Sequence, residues 1–542
     1  MAVTPNTILY LLKSPIELDN LNQLTFSNKQ AQETYFLSLP KIPIEKITYQ
    51  RKDNVIRFPA HIDSIMEYNY VMYQNSNYGE KWFYAFITNM EYVNDNMTLI
   101  TIKTDVYQTW MFDITFKRSF VVREHTNNDT IGANIVPEGI ETGDYVITES
   151  HPFTYLRDTV NTGDDDPNRG VIVVGLTVDP TSETLPRLYG SLSGPSYSGA
   201  RYYALQNPAS VNNLLETIAN KTSVDNVVSI FMAPIDLALA GLRNWASYNF
   251  GYGAYSLIPC SELGSSYFRN QLLFFNFPTT LDGYTPVNKK LFTKEFSYIY
   301  ATNYCGSAVQ YYYEFFNNEA GNPQYYCQFH LEGVLTPGCS IQCVPNNYQH
   351  THLQSYNAAT FALTAGKLPL CNWNSDQFTN WLAQNGVNRA AIYAGGAVTA
   401  IVGAATLNPT AVVSGIGAIL GNMGAYYQHS FAPNENNGSL NNSDNNFQHS
   451  RCFGYYCMSV SNTMARKIDR VFSAIGYATN EMKIPNLTGR RNWNYVKTQA
   501  AAILGSIPQD DLQEIKQMFD NGVTLWHNPA TFLDYSQNND II

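Results

Sequence analysis

The strongest fold signal in the chain is the stretch Lys81–Thr88 (KWFYAFIT), which is followed by Asn94–Asn96 (NDN) and Met97–Ile102 (MTLITI). Aromatic and β-branched residues dominate both flanking runs, and the short Asn/Asp run between them is typical of a turn. The pattern therefore predicts a β-hairpin. Aromatic residues occupy both phases of the first run, which indicates that neither face of that strand is fully exposed to solvent.

Other extended segments follow the hairpin. Thr115–Arg123 and Val171–Leu176 read as strands, and Tyr252–His352 alternates aromatic runs with Gly and Asn. The chain is therefore predicted to be mainly β with a few helices, a β-rich fold with α+β elements.

Two segments show helical periodicity. Ser210–Lys221 carries apolar residues at i, i+3, i+4 and i+7, with Ser210 as the candidate N-cap. Near the other end, Pro508 is expected to open a helix that Asn521-Gly522 ends, followed by a strand over Val523–His527. The buried stripe predicted for this second helix is Leu512, Ile515, Met518 and Phe519.

Charged residues are scarce. They make up 14% of the 542 residues, whereas about a quarter is usual, while 44% of the residues are hydrophobic and 39 are Tyr. The net charge of −11 argues against a protein that grips nucleic acid, which needs clustered Lys and Arg. The net charge does not exclude a protein surface past which DNA only slides, because attraction to each phosphate would hinder the movement of the DNA. No secretion signal is recognised in Met1–Asn20, so reduced thiols are expected.

Ala390–Asn434 contains no Asp, Glu, Lys or Arg and is rich in Gly and Ala. Its apolar halves, Ala390–Leu407 and Ala411–Ala425, flank the turn signal Asn408-Pro409, which predicts a hairpin of two helices. Three hypotheses fit: a buried helical hairpin, a permanent membrane anchor, or a conditional membrane insert. The third is favoured, because Gly and Ala make constitutive insertion marginal and the polar stretch Pro433–Ser450 reads as a flexible strap.

Chemical sites are weakly indicated. Cys339, Cys343, His350 and His352 could supply four zinc ligands, but ordinary packing and surface roles are the preferred interpretation, so no metal site is assigned. Walker, Gly-x-Gly-x-x-Gly and His-Glu-x-x-His patterns are absent from the sequence. A glycosidase carboxylate pair stays open, yet no pair stands out by its surroundings. The prediction is a non-enzymatic protein with no cofactor.

Long aromatic-rich segments lie at both ends of the chain: Asn77–Phe86, Asp105–Asp113, Ser119–His125, Lys483–Leu487 and Asp511–His527. These segments resemble the tail knob proteins of small short-tailed phages with protein-primed genomes. The match is looser in the middle of the chain, where Ser223–Val228 resembles a family helix.

The resemblance implies a homo-hexameric β-rich tube at the distal end of the tail, through which genomic DNA leaves without sequence-specific binding. It also implies that a hydrophobic loop, here Ala390–Tyr427, plugs the lumen and later helps form a channel in the host membrane. The implied location is the virion, after assembly in the bacterial host cytoplasm, and the implied partners are a lower collar or tail connector protein and a host receptor. The residues assigned as membrane-active are Ala390, Ile392, Tyr393, Val398, Ile401, Val402, Leu407, Val412, Val413, Ile416, Ile419, Leu420, Met423 and Tyr426.

The same resemblance at both ends predicts a discontinuous β-barrel or tube domain made of residues 1–140 and 451–542. An inserted β-rich knob region would span 141–370, and the hydrophobic loop with its strap 371–450. Two other functions stay open: a receptor- or carbohydrate-binding tail adhesin, suggested by the Tyr- and Asn-rich middle, and a cell-wall hydrolase.

Overall fold

The computed structural model describes most of the chain outside the hydrophobic loop. The described residues are 7–47, 54–76, 79–157, 163, 165–166, 168–188, 191–193, 196–198, 200–222, 224–239, 243–260, 268–304, 306–316, 326–333, 340–348, 362–367 and 452–542. Among them, no helix combines the length and apolar character that a membrane crossing requires.

Strands dominate the described elements, as predicted. In chain order they are β1 Thr7–Leu12, β2 Asn22–Leu24, β3 Lys41–Ile47, β4 Val55–Phe58, β5 Tyr70–Asn75, β6 Trp82–Asn94, β7 Met97–Thr104, β8 Ile114–Phe116, β9 Ser119–Glu124, β10 Tyr145–Thr154, β11 Gly170–Leu176, β12 Ser191–Ser193, β13 Ser196–Ser198, β14 Arg201–Leu205, β15 Val227–Pro234, β16 Ala246–Asn249, β17 Ala254–Pro259, β18 Phe268–Asn276, β19 Ser297–Thr302, β20 Ala308–Tyr311, β21 Tyr326–Gly333, β22 Ser340–Pro345, β23 Leu363–Lys367, β24 Cys452–Val460, β25 Tyr477–Lys483, β26 Trp493–Gln499, β27 Ile503–Gly505 and β28 Val523–Trp526. The helices are α1 Lys29–Ser38, α2 Ile62–Ile65, α3 Val106–Trp110, α4 Pro208–Lys221, α5 Ile235–Leu239, α6 Asn462–Ile475 and α7 Gln509–Asn521.

The chain divides into two compact units. Unit 1 comprises Met1–Asp144, Gly283–Phe296 and Val460–Ile542, and unit 2 comprises Tyr145–Asp282 and Ser297–Ser459. The first and last parts of the chain thus lie in one unit. The short excursion Gly283–Phe296 also belongs to it, although it falls within the predicted insertion 141–370.

The described part of unit 2 forms three larger sheets and one two-stranded hairpin. Their strand orders are β15-β11-β14-β17-β16, β10-β24-β19-β20, β18-β21-β22-β23 and β12-β13. Strand β11 is buried along its whole length, which fits its position between β15 and β14 and its continuous apolar sequence. Helix α4 packs the buried Val211, Leu214 and Ile218 against the first sheet.

Unit 1 is built on a six-stranded sheet, β3-β1-β5-β6-β7-β4, and a five-stranded sheet, β2-β28-β26-β9-β25. Strands β6 and β7 form the predicted hairpin, with Asn94 paired to Met97, so Asp95-Asn96 makes a tighter turn than the Asn94–Asn96 stretch suggested. The extended segment predicted over Thr115–Arg123 is two strands, because β8 pairs with β27 and β9 joins the five-stranded sheet.

Strands from both ends of the chain pair with each other in the five-stranded sheet. Strand β9 lies between β25 and β26, so that Arg123 is paired with Ala478 on one side and Lys497 on the other. Strand β2 runs parallel to β28. The rings of Trp493 and Trp526, fully buried, pack 5.0 Å apart in a core that both sheets share.

The C-terminal helix agrees with its sequence signals. Helix α7 begins after Pro508 and buries the predicted stripe, and Gly522 ends it with φ +97°, a conformation that favours glycine. Strand β28 stops at Trp526, one residue before the predicted end.

Two local predictions were wrong. Helix α4 is capped by the Asn207 side chain, which accepts from the backbone N–H of Ser210; Ser210 is therefore in the first turn rather than at the cap. Ser223–Val228 is similar to a family helix in sequence, but its described residues form a single 3₁₀ turn at Val224–Asn226, and β15 begins at Val227.

A buried polar network joins the three chain segments of unit 1. The Glu138 carboxylate pairs with both Arg123 and Lys290, and it also accepts from the backbone N–H of Ala478 at 2.9 Å. The Lys290 side chain is 1% exposed, and burial lowers the pKa of its ammonium group even beside Glu138. Asp469 binds the excursion in the same way, accepting from the backbone N–H groups of Val287 and Asn288.

We predict that Glu138→Gln lowers the free energy of unfolding of the chain by about 3–5 kcal/mol, because it leaves the Lys290 charge buried without its counter-charge. Urea unfolding followed by tryptophan fluorescence measures this change. The control is Glu67→Gln, which removes an exposed ion pair with Lys13 (3.4 Å) and should cost less than about 1 kcal/mol. Equal effects of the two substitutions would contradict the role of Glu138 as the counter-charge of the buried Lys290.

Candidate functional site

The predicted membrane-active residues lie outside the described residues, from Ala390 through Tyr426, as do Cys339, His350 and His352. The structure does describe the strands on both sides. Strand β23 ends at Lys367 and β24 begins at Cys452. We call the two strands, with the described unit 2 residues that contact them, the loop base.

Strand β24 is an inner strand of its sheet. It lies between β10 and β19 and pairs with β19 from Ser297↔Ser459 to Thr302↔Gly454. The Thr148 hydroxyl of β10 donates to the Cys457 carbonyl at 2.9 Å. An inner strand has ladder partners on both edges, so the chain that follows the loop is firmly held.

The side chain of Tyr455 anchors β24 in the interior of unit 2. Its ring lies 4.4 Å from that of Phe329, and its hydroxyl donates to the Cys343 sulfur at 2.9 Å. All three side chains are fully buried. Burial raises the pKa of Cys343 to about 12, so this thiol is protonated and serves packing in the described structure.

Strand β23 is tied to the same framework. It pairs with β22, and the Asn303 side-chain amide donates to the Thr364 carbonyl at 2.7 Å. The Asn303 side chain also accepts from the backbone N–H of Ser307, which fixes its orientation. Asn303 follows β19, which pairs with β24. The turn after β19 therefore contacts β23, the strand before the loop, and adjoins the sheet that contains β24, the strand after the loop.

A glycine permits close contact at the beginning of β24. A Cβ atom at Gly454 would overlap the Tyr304 hydroxyl, which hydrogen-bonds the Tyr456 hydroxyl at 2.8 Å. Tyr304 itself adopts φ +58°, which places its ring against the strand. Burial and the neighbouring phenol raise the pKa of Tyr304, so its hydroxyl stays neutral.

Glu149, His151 and Cys457 also come together at the loop base. Their potential ligand atoms all lie within 4.8 Å of one another. This group was not predicted, because its only local signal in the sequence is the i, i+2 spacing of Glu149 and His151 on one face of β10. Cys457 comes from the distant β24, and single-sequence reasoning does not reveal that pairing.

Comparison with known proteins decides the family. Residues 266–540, about half of the chain, match the family model described as "Bacillus phage phi29, Tail knob protein gp9, C-terminal domain". The chain belongs to this tail knob protein family. It is therefore a structural protein of a phage tail, and the resemblance drawn from the sequence is confirmed. Residues 6–116 match a second model, the caudoviral major tail protein N-terminus.

The relatives are similar along their whole length. The tail knob protein gp9 of Bacillus phage B103 is 24% identical, with 97% of each chain covered, and that of Bacillus phage phi29 is 25% identical, with 100% of each covered. The solved tail knob protein gp12 of bacteriophage C1 superimposes with a TM-score of 0.66, covering 99% of this chain and 100% of that one. Because its identity is only 13%, the last comparison shows the fold alone.

We predict that Gly454→Ala destabilises unit 2 by about 1–3 kcal/mol, because the added methyl group displaces Tyr304 and breaks its hydrogen bond to Tyr456. Urea unfolding of the full chain measures the loss. Gly163→Ala is the matched control, since a Cβ atom there meets no atom within 4 Å and should change the stability by less than about 0.5 kcal/mol. A loss for Gly454→Ala no larger than the control's would refute the close contact.

Proposed function

We propose that six copies of this tail knob protein form a tube at the distal end of the tail, through which the genome passes. A loop from each copy plugs the lumen and later enters the host membrane. The observation that carries the proposal is the charge-free segment Ala390–Asn434, inserted between two strands that unit 2 holds firmly. The chain would join the other virion proteins through the lower collar, and the mature protein would reside in the virion.

The composition of the segment suits conditional insertion. If helical, the 18 residues Ala390–Leu407 would reach about 27 Å, close to the roughly 30 Å of a bilayer core. Gly and Ala make each copy only weakly hydrophobic, so a single copy would insert marginally. Gly417 and Gly421 have the small-xxx-small spacing that allows close helix packing, which favours insertion of several copies together.

The loop base explains how such a segment could move without unfolding the protein. Both strands of the loop base are held by contacts within unit 2. Asn303 contacts Thr364 of β23, and Tyr455 of β24 contacts Cys343. Release of the loop is then a population shift between a sheltered and an exposed state. The free energy gained by membrane contact in the exposed state must exceed the free energy gained by packing in the lumen in the sheltered state. The free energy of unit 2 need not change between the two states.

Two features support a ring with an aqueous lumen. The net charge of −11 disfavours tight binding of DNA, which suits passage. In unit 1, Met482 on the edge strand β25 and the following Ile484 are 52% and 60% exposed. Exposed apolar side chains at a sheet edge suit the heterologous interface that closes a ring.

We predict that deleting Ala390–Tyr427 preserves ring assembly and abolishes membrane permeabilisation. Assembly is measured by sedimentation velocity, and permeabilisation by leakage of a dye from liposomes. Leakage that survives the deletion undiminished, with rings intact, would refute the membrane role of the segment.

A point substitution tests the same role with less disturbance. Ile416→Asp places a charge in the segment at a cost of about 3 kcal/mol per copy on insertion, so leakage should fall at least tenfold. Asn441→Asp adds the same charge to the polar strap and should leave leakage unchanged. Equal leakage from the two variants would contradict insertion of the segment.

A further inference from the structure

We propose that Glu149, His151 and Cys457 form a zinc-class metal site at the loop base. It is the one group of three or more potential metal ligands within this separation in the described ranges of the chain. The proposal concerns different residues from the cysteine and histidine motif in the sequence, and it does not depend on hexamer formation or membrane insertion.

The geometry is close to that of a tetrahedral zinc site. The His151 Nε2 and Glu149 Oε2 atoms are 3.2 Å apart, near the roughly 3.3 Å expected between N and O ligands that each lie about 2 Å from zinc. The Cys457 sulfur lies within 4.8 Å of both. A thiolate about 2.3 Å from the metal would sit about 3.6 Å from the other ligands, so a small side-chain rotation completes the site.

The surroundings hold the ligands in place. The His151 ring stacks on Phe275 with centroids 4.1 Å apart and ring planes 10° apart, which fixes the direction of its Nε2 atom. The buried hydroxyl of Tyr313 makes no hydrogen bond of normal geometry among the described residues, and it lies beside the Cys457 sulfur. A metal-bound thiolate would be a stronger acceptor for the Tyr313 hydroxyl than the neutral thiol is.

Access and charge are both suitable. Cys457 is fully buried, whereas the side chains of Glu149 and His151 are 40% and 27% exposed, so an ion can enter from their side and keep a water as fourth ligand. The Cys457 thiol releases its proton to water when the metal binds. The resulting thiolate and the Glu149 carboxylate together neutralise a divalent cation. A thiolate and an imidazole select zinc over magnesium or calcium.

The consequence would be a clamp on the first strand after the loop. Glu149 and His151 lie on β10 and Cys457 on its neighbour β24. A bound metal would add three coordination bonds between strands that otherwise share ladder hydrogen bonds. Both ends of the loop would then be attached at fixed positions.

Zinc binding by the full-length protein tests the site. After chelator treatment and dialysis against zinc, elemental analysis should find one zinc per chain, and the thermal unfolding midpoint should rise with zinc. His151→Gln and Glu149→Gln, at partly exposed positions, should weaken binding at least tenfold and abolish that rise. Cobalt supplied in place of zinc should give a thiolate charge-transfer band that Cys457→Ser removes.

The chain offers a matched control in His330 and Glu332 on β21. They repeat the i, i+2 spacing and the contact, with Nε2 to Oε2 at 3.1 Å, but belong to no three-ligand group among the described residues. His330→Gln should retain full zinc binding. Failure of the unsubstituted protein to bind zinc would overturn the proposal. So would stoichiometric zinc in His151→Gln and Glu149→Gln, because the metal would then be bound elsewhere.

Discussion

The position of β9 between two strands from the far end of the chain is the constraint on which the rest of the structure depends. Arg123 on β9 donates to the Gly476 carbonyl at 2.7 Å across a separation of 353 residues. Closing a flexible loop of that length would cost about 5 kcal/mol in chain entropy. Two ladders and a shared aromatic core offset that cost in unit 1.

This arrangement leaves the intervening chain free to build unit 2 and to carry the hydrophobic loop. Three neutral groups hold the two strands of the loop base: the Tyr455 phenol, the Cys343 thiol and the Asn303 amide. The scarcity of charge in the whole chain therefore has two origins. One is the charge-free segment Ala390–Asn434, and the other is a β-rich framework that packs through aromatic and neutral polar side chains.

Local patterns in the sequence predicted local structure well. The hairpin of β6 and β7 and helix α7 follow from residue preferences that act over a few positions. The Asn207 cap was missed because Ser210 and Asn207 are both good caps, and only the chain direction before the helix decides between them. Contacts between distant segments, such as the excursion Gly283–Phe296 and the group around Cys457, depend on strand pairings that no local pattern specifies. The family resemblance succeeded because the aromatic-rich end segments are long, while the function of the loop stays a prediction.

The central claim is that this tail knob protein assembles as a tube whose lumen the loops occupy. Electron microscopy of the purified full-length protein, with class averages computed without imposed symmetry, tests the claim most directly. The account predicts six-fold rings whose central density disappears when Ala390–Tyr427 is deleted. Compact monomers, or rings whose central density is the same with and without that segment, would contradict it.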